Sequence, residues 1–482
     1  MSDAAVIVMA LAVAAGAWAA QPVPLVVALV LVAAALAGRW PVVLVLGAAL
    51  AASELAHRSW DGLSPPAPER VDGLVTLVND PSEFAGAVRV DVRVGGRRVE
   101  AWARGRDARL LRDRLAGERV RLTGHLEALA GDDRQRLAPR HVSARMTVER
   151  VGEWRAGTLA TRLANGIRRT LLGGAWSLPP PERSLFAGFV LGDDRGQPPE
   201  VTFDFRASGL SHLLVVSGQN VAFVLALAGP LLRRFGLRSR LVAGVALLLL
   251  FGTLTRWEPS VLRAVAMAGL ALLAGALGRP VSTLRLVALA ATGLLLVDPL
   301  LVHSIGFRLS VGACVGIALF GGRLTRRLPG PRPVAEALGV TLAAQAGVAP
   351  VLVPTFGGIP VVALAANLVA LPAAGPLMAW GVAAGIPAGL IGGLAAAVVH
   401  VPTRLMVEWV ALVARVSATL PAGEVRLAHA VVLAVAAAGA ALALRRGWHA
   451  VTAGAVAACV VAGVILPTLA VLRPSAIDAR TV

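Results

Sequence analysis

Two adjacent carboxylates, Asp193 and Asp194, are followed by Arg195 and Gly196. Such a pair could hold a metal ion or share acid–base work. No His or third acid stands near it in sequence, so the spacing fits a loop closed by an Asx turn better. A second polar set lies where hydrocarbon is expected. The run Ser208–Pro230 is long enough to cross a bilayer, which takes roughly 20 apolar residues, yet its first half carries Ser211, His212, Ser217, Gln219 and Asn220. Polar groups at that depth face a protein interior or a wet cavity. Ser217 and Gly218 also interrupt the Leu/Val run, where freed backbone needs cover from protein or water. A helix-packing face rich in small and hydrogen-bonding residues explains the stretch equally well.

Later apolar runs hold Arg263, after Pro259-Ser-Val-Leu, and Arg308, within Gly306-Phe-Arg-Leu-Ser310. They also hold Gln345 and Asn367. An Arg inside a membrane is costly and points to function by default; snorkelling or a buried partner near a span end is the alternative. Pro350, Pro354, Pro360, Pro372 and Pro376 punctuate the same region. Broken helices of this kind often flank a substrate path.

These groups need elements to position them. The chain has 482 residues, of which 57% are hydrophobic, with a net charge of +18 and a mean hydropathy of +0.73. That composition is that of a polytopic membrane protein. Its 46 basic residues are all Arg. Compositional bias explains part of this, the positive-inside rule another part, and Arg is also suited to phosphate. Cys314 and Cys459 lie far apart in apolar runs and read as small buried hydrophobes, with no metal-ligand spacing. The first 21 residues lack a basic start and read as an uncleaved first helix.

Apolar spans are expected at 4–20, 23–37 and 41–56, then near 208–232, 241–254, 261–278, 284–302, 305–321, 335–354, 359–381, 383–400, 428–444 and 450–472. The basic loops Arg233–Arg240, Arg279–Arg285, Arg323–Arg332 and Arg445–Arg446 then fall on one side. Thr403–Val416 is read as lying along the interface. Gly381, Gly385 and Gly389, spaced by four, would let helices approach closely.

The charged block 57–157 reads as a soluble domain. Strands are expected at Val71–Val78, Val88–Val94, Arg97–Ala103, Arg119–Leu126 and His141–Val148, with a short helix at Leu110–Leu115. Val88–Val94 alternates strictly, and Gly95-Gly96 makes a two-residue hairpin turn. Five strands and a helix suit a small closed barrel of the OB kind. Such barrels often bind single strands through basic and aromatic side chains, and Arg93, Arg97, Arg98, Trp102 and Arg104 lie on or near the hairpin. Across 71–150 there are 16 Arg against 12 acidic residues, so an ordinary solvated face is the competing reading. Thr158–Trp176 has Leu159, Leu163, Ile167, Leu171 and Leu172 at helical spacing and reads as an amphipathic helix on the bilayer surface.

No Walker A loop exists without Lys, and the eight His form neither HExxH nor HxHxD. No ATPase, zinc hydrolase or Ser–His–Asp arrangement stands out. An engine or nuclease would come from another chain.

Several segments, in order, resemble ComEC-type competence proteins, channels that pass single-stranded DNA into bacteria during transformation. They are Leu185–Gly192 with Asp193–Gly196, Gly209-Leu-Ser-His-Leu-Leu-Val-Val-Ser-Gly218, Pro259-Ser-Val-Leu-Arg-Ala264, Asp298-Pro299 with Gly306–Ser310, and Ile359–Pro372. The resemblance covers about 182–416. It implies a polytopic α-helical membrane protein with an inserted small all-β, OB-like, extracytoplasmic domain. Expected parts are N-terminal transmembrane helices over 1–56, the OB-like domain over 57–157, and an interfacial helix and linker over 158–181. The channel domain would follow over 182–418, and further transmembrane helices with a short tail over 419–482. The C-terminus would be extracytoplasmic and the location the inner membrane. His212, Ser217, Gln219, Asn220, Arg263, Arg308, Gln345 and Asn367 would line the path.

Two positions depart from the family. Its Ser-Gly-Leu-His-Val is Ser217-Gly-Gln-Asn-Val221 here, and its Gly-Phe-Gln-Leu-Ser has Arg308 in place of Gln. Many members continue into a metallo-β-lactamase-like domain regarded as a nuclease, whereas this sequence ends after its last apolar run. No enzymatic activity and no cofactor or metal is therefore expected. Single-stranded DNA and the lipid bilayer are the expected partners, with a separate motor ATPase, DNA receptor and nuclease. The alternatives are a transporter of a small anionic or lipid-linked substrate, or a membrane scaffold whose barrel binds an envelope protein.

Overall fold

Apolar runs too long for strands form helices first. In the computed structural model, which describes residues 2–446, 454, 459 and 461–472, the chain begins with α1 (Asp3–Ala19), α2 (Leu25–Gly38) and α3 (Pro41–Asp61). Pro41 starts α3 at the first helical turn, where a missing N–H costs nothing. The expected span at 450–472 is described only in part, at residues 454, 459 and 461–472, and the tail beyond 472 lies wholly outside the described residues.

The soluble block is a β-structure. Its strands are β1 (Arg70–Leu77), β2 (Ser82–Phe84), β3 (Ala87–Val94), β4 (Arg97–Ala103), β5 (Arg119–Ala128) and β6 (Val142–Arg155). Two short helices interrupt them, α4 (Gly105–Arg112) and α5 (Gly131–Leu137). The sheet runs β1-β5-β6-β4-β3-β2, and β1 also pairs with β3, which closes five strands into a ring with β2 outside it. All neighbours are antiparallel except β4 and β6. Val88, Val90 and Val92 of β3 and Val99, Ala101 and Ala103 of β4 fill the interior. This is the face that strict alternation predicts. Gly95 and Gly96 both have positive φ, as the two-residue turn requires. The short helix starts five residues earlier than expected, and α5 and β2 were not foreseen.

The chain returns to helices with α6 (Leu159–Gly174), α7 (Pro180–Leu191) and α8 (Pro199–Ala207). The long apolar set follows: α9 (Gly218–Leu232), α10 (Leu237–Leu254), α11 (Pro259–Ala276) and α12 (Thr283–Val297). Next come α13 (Ile305–Gly316), α14 (Gly322–Arg327), α15 (Arg332–Phe356) and α16 (Ala363–Ile391). The described chain closes with α17 (Gly393–Val399), α18 (Val401–Thr419) and α19 (Leu427–Arg445), before a π-helical turn at Val461–Ile465 and the helix Leu466–Leu472. Among the described residues, seven helices are long and apolar enough to cross a membrane.

The run from 208 breaks where Ser217 and Gly218 interrupt it: a 3-10 turn at Ser211–Leu213 precedes α9, which starts at Gly218, and Ser211–Leu232 together is long and apolar enough for one span. One expectation about this region changes. The spans expected at 359–381 and 383–400 are replaced by the single 29-residue α16, which runs through Pro372, Pro376 and Pro387. The stretch Thr403–Val416 is part of α18, which is bent 48° against α17.

The four-spaced glycines work as packing sites. A Cβ on Gly389 would lie 2.0 Å from the Thr170 carbonyl oxygen, one on Gly385 2.7 Å from Leu171, and one on Gly381 2.5 Å from Val190. They seat α6 and α7 against α16. The amphipathic α6 is thus docked on neighbouring helices rather than lying free, although Leu159 and Leu163 stay exposed.

The basic loops collect at one end. Arg285 pairs with Asp3 at 3.3 Å, which places the start of α1 beside the α11–α12 loop. The α10–α11 and α12–α13 corners instead meet the barrel, through Arg256 with Asp80 and Asp298 with His141. The arginine-rich loops therefore lie at the end of the helices away from the barrel.

Candidate functional site

Asp80 sits in the β1–β2 turn and reaches out of the barrel. Its carboxylate meets Arg256 at 2.8 Å, Arg168 at 3.0 Å and Arg195 at 4.0 Å. Asp193 meets Arg168 at 2.7 Å and Arg195 at 2.6 Å. Arg168 is 1% exposed and also donates to the Leu191 and Leu254 carbonyls. Arg256 donates to Asn165, which in turn donates to the Ala116 carbonyl. Two carboxylates and three guanidiniums thus join the barrel, α6, the α7–α8 loop and the α10–α11 corner.

Burial raises the cost of ionising Asp193, but the hydrogen bonds and charge of Arg195 and the charge of Arg168 prevail and hold it down at about 2. Burial likewise opposes ionisation of Asp80, and Arg168, Arg256 and Arg195 overcome it. Asp193 Oδ1 also accepts from the Arg195 backbone N–H at 3.2 Å, the turn expected from the sequence.

The neighbouring Asp194 behaves in the opposite way. Burial and then the Asp193 charge push its carboxyl up. Glu258, on the α10–α11 corner, is pushed up by burial and by Asp194. Both residues are exposed, Asp194 on the α7–α8 loop and Glu258 on the α10–α11 corner. Among the described residues, no group of three or more His, Cys, Asp or Glu could hold a metal ion.

The polar face of the β3–β4 hairpin is not simply solvated. Asp91 lies opposite Glu100, and Arg89 opposite Trp102. Glu100 is fully buried and is met by Arg140 at 3.4 Å and Arg145 at 3.3 Å. Arg140 also pairs with Asp91. Trp102 donates to Glu100 at 2.9 Å and stands edge-on to Phe84 at 6.0 Å. Arg89 and Arg145 flank the Trp102 ring at 6.0 and 5.7 Å. Phe84, Arg89 and Arg145 were not singled out in the sequence.

The other hairpin residues scatter. Arg93 lines a cleft of about 290 Å³ with Arg256 and Trp257. Arg97 lines a separate recess beside Val94 and Leu126. Arg98 donates to the Arg140 carbonyl at 3.2 Å. Arg104 is exposed at the start of α4.

Inside the membrane domain the expected path residues divide. Ser217 caps α9 by accepting from the Gln219 N–H at 3.2 Å, which is why the helix begins there. Gln219 is exposed. Arg263, only 6% exposed, donates to Ser310 Oγ at 2.7 Å and to Met267 Sδ at 2.9 Å. A Cβ on Gly218 would lie 2.9 Å from Arg263 Nη2, so a larger residue there would push the guanidinium aside. These four residues, Ser217, Gly218, Gln219 and Arg263, are brought together.

Asn220 is buried and adjoins them: its Oδ1 accepts from Ser217 Oγ at 3.4 Å, and its amide donates to the Phe189 carbonyl at 3.0 Å, tying α9 to α7. The remainder lie elsewhere. Asn367 donates to the Ala363 carbonyl one turn back in its own helix. His212 is exposed and its Nδ1 is 3.3 Å from the Gly209 carbonyl. Arg308 lies over Trp18 at 5.8 Å, with a buried Nε that has no acceptor. Gln345 is half-buried on α15.

Seven long apolar helices and a docked extramembrane barrel define a multi-pass membrane protein. The chain belongs to the competence protein family, whose model matches residues 189–450. It is similar to ComE operon protein 3 of Bacillus subtilis, 29% identical over 202 residues, or 40% of this chain and 25% of that protein. It is also similar to the uncharacterized protein YcaI of Escherichia coli, 28% identical over 214 residues, or 40% of this chain and 28% of that one. The matched stretches thus span about a quarter of these relatives. No solved structure matches.

Proposed function

We propose that this protein is a channel for the entry of single-stranded DNA across the inner membrane during natural transformation. The observation that carries the proposal is Arg263: a buried guanidinium in the membrane domain whose partners are a hydroxyl and a thioether, with no carboxylate beside it among the described residues. A cation left uncompensated at that depth is costly, and a passing polyanion would offset the cost. Family membership agrees with this substrate.

The barrel is read as OB-like, since its ring order β1-β3-β4-β6-β5 with one parallel pair is the order of that fold. Its stack of Phe84, Arg89, Trp102 and Arg145 suits base stacking. With the arginine-rich loops in the cytoplasm, the barrel is extracytoplasmic. The protein acts as a conduit rather than an enzyme, with motor, receptor and nuclease supplied by other chains.

The test is entry of a fluorescent single-stranded oligonucleotide into vesicles containing the full chain and a complementary trapped quencher strand. Quenching above that of protein-free vesicles is expected for single strands and not for duplex. No quenching, with passage of small anions only, would sink the reading in favour of a small-anion transporter.

A further inference from the structure

Arg263 has a second positive pole opposite it. Gly218 is the first residue of the 15-residue α9, and the backbone N–H groups at a helix start carry partial positive charge. The guanidinium is pressed against that start, with Nη2 2.9 Å from the position a Gly218 Cβ would occupy. Nε and Nη1 are spent on Ser310 and Met267, and Nη2 has no acceptor among the described residues. The side chain is more than nine-tenths buried. Two like poles held in contact by α9, α11 and α13 repel, and an anion lying beside both relieves that repulsion. Ser217 Oγ occupies the Gln219 N–H and leaves the Gly218 N–H with no partner among the described residues.

We infer that Arg263 Nη2 and the Gly218 N–H form a seat for a phosphodiester, one charge at a time. Its place follows from the chain. Arg263 is four residues into α11, whose preceding corner is fixed to the barrel by Arg256 and Asp80. The seat is therefore about one helical turn below the barrel-side end of α11. Helix starts and guanidiniums are both established phosphate-binding groups, and together they give a fixed geometry that neither gives alone. The occupant we assign is the backbone of the incoming strand, which rests on the proposed function; a lipid phosphodiester shares the chemistry and is separated by the test.

The probe is dimethyl phosphate, titrated into the full chain in maltoside micelles and followed by ³¹P line broadening. Saturable binding is expected, weakened about tenfold or more in Arg263→Gln, as loss of a charge-assisted hydrogen bond implies. Arg263→Lys should retain part of it, and Gly218→Ala should weaken it by displacing the guanidinium. No saturable binding, or equal binding in Arg263→Gln, overturns the seat. Displacement by a short oligothymidylate supports the strand as occupant; displacement by phosphatidylglycerol alone overturns that assignment. Binding of dimethyl phosphate with no oligonucleotide entry into vesicles would leave the seat standing and remove the channel.

Discussion

The junction around Asp80 and the site around Arg263 lie on the same α10–α11 corner, seven residues apart, and handle charge in opposite ways. At the junction each carboxylate meets at least two guanidiniums and Arg168 Nη1 reaches two carbonyls, although Arg168 Nε is buried without an acceptor among the described residues. At Arg263 the acceptors are neutral. A closed network of this kind fixes two bodies against each other. An open one holds free energy that a ligand can release. Buried arginine by itself therefore says little about function; the partners decide.

The largest effect should come from breaking the closed side. Arg168→Met leaves Asp80 and Asp193 buried with fewer partners, and removing one member of such a network costs about 3–5 kcal/mol. Arg263→Met removes a charge that nothing internal compensates, so stability should hold or rise while oligonucleotide entry falls. Thermal unfolding of the two variants in micelles reads both. A loss for Arg263→Met as large as that for Arg168→Met would mean the two arginines are structurally alike and would end the contrast.

A smaller effect separates the adjacent carboxylates. Asp193 falls from 3.8 to about 2 in the folded protein. Its contribution is complete above about pH 3.8 and is lost as pH falls towards 2, on the order of 2 kcal/mol in all. Asp194 is raised, so its ionised form weakens the fold, and protonation as pH falls through the raised value should add stability. At neutral pH Asp193→Asn should lower the unfolding temperature, while Asp194→Asn should leave it level or raise it. Equal shifts in both variants would contradict the division of roles.

What the sequence discloses follows the range of the interactions. Alternation in Val88–Val94 sets the barrel face, and Gly95-Gly96 the turn, because both are local. The glycine spacing in α16 also anticipates close packing, since a missing Cβ acts wherever the partner lies. The break at Ser217 and Gly218 is legible because it is a cap. The Asp80 junction is not legible, because its five charged members come from positions 80 to 256 and only the fold assembles them. One signal was present: Arg168 stands between Ala164 and Leu171 at helical spacing, on the buried side of α6. The two α16 spans were misread because an apolar run of that length exceeds one bilayer crossing, whereas here a single helix continues to Ile391 through three prolines.

The smallest effect repeats the contrast within the barrel. Arg104 and Arg97 are exposed, and neither side chain makes an ion pair or hydrogen bond among the described residues. Trp102 is held by Glu100 and flanked by Arg89 and Arg145. Arg104→Ala should change stability by no more than about 0.5 kcal/mol. If Arg104 touches a phosphate of the strand, the variant should also lower the salt slope of oligonucleotide binding by about one. Trp102→Ala should instead weaken binding by about 1–3 kcal/mol through lost stacking, with the slope nearly unchanged. Binding isotherms of the full chain at several salt concentrations distinguish the two. A slope change in Trp102→Ala with none in Arg104→Ala would place the strand along the interior of the polar face, beside Arg89 and Arg145, rather than along its rim.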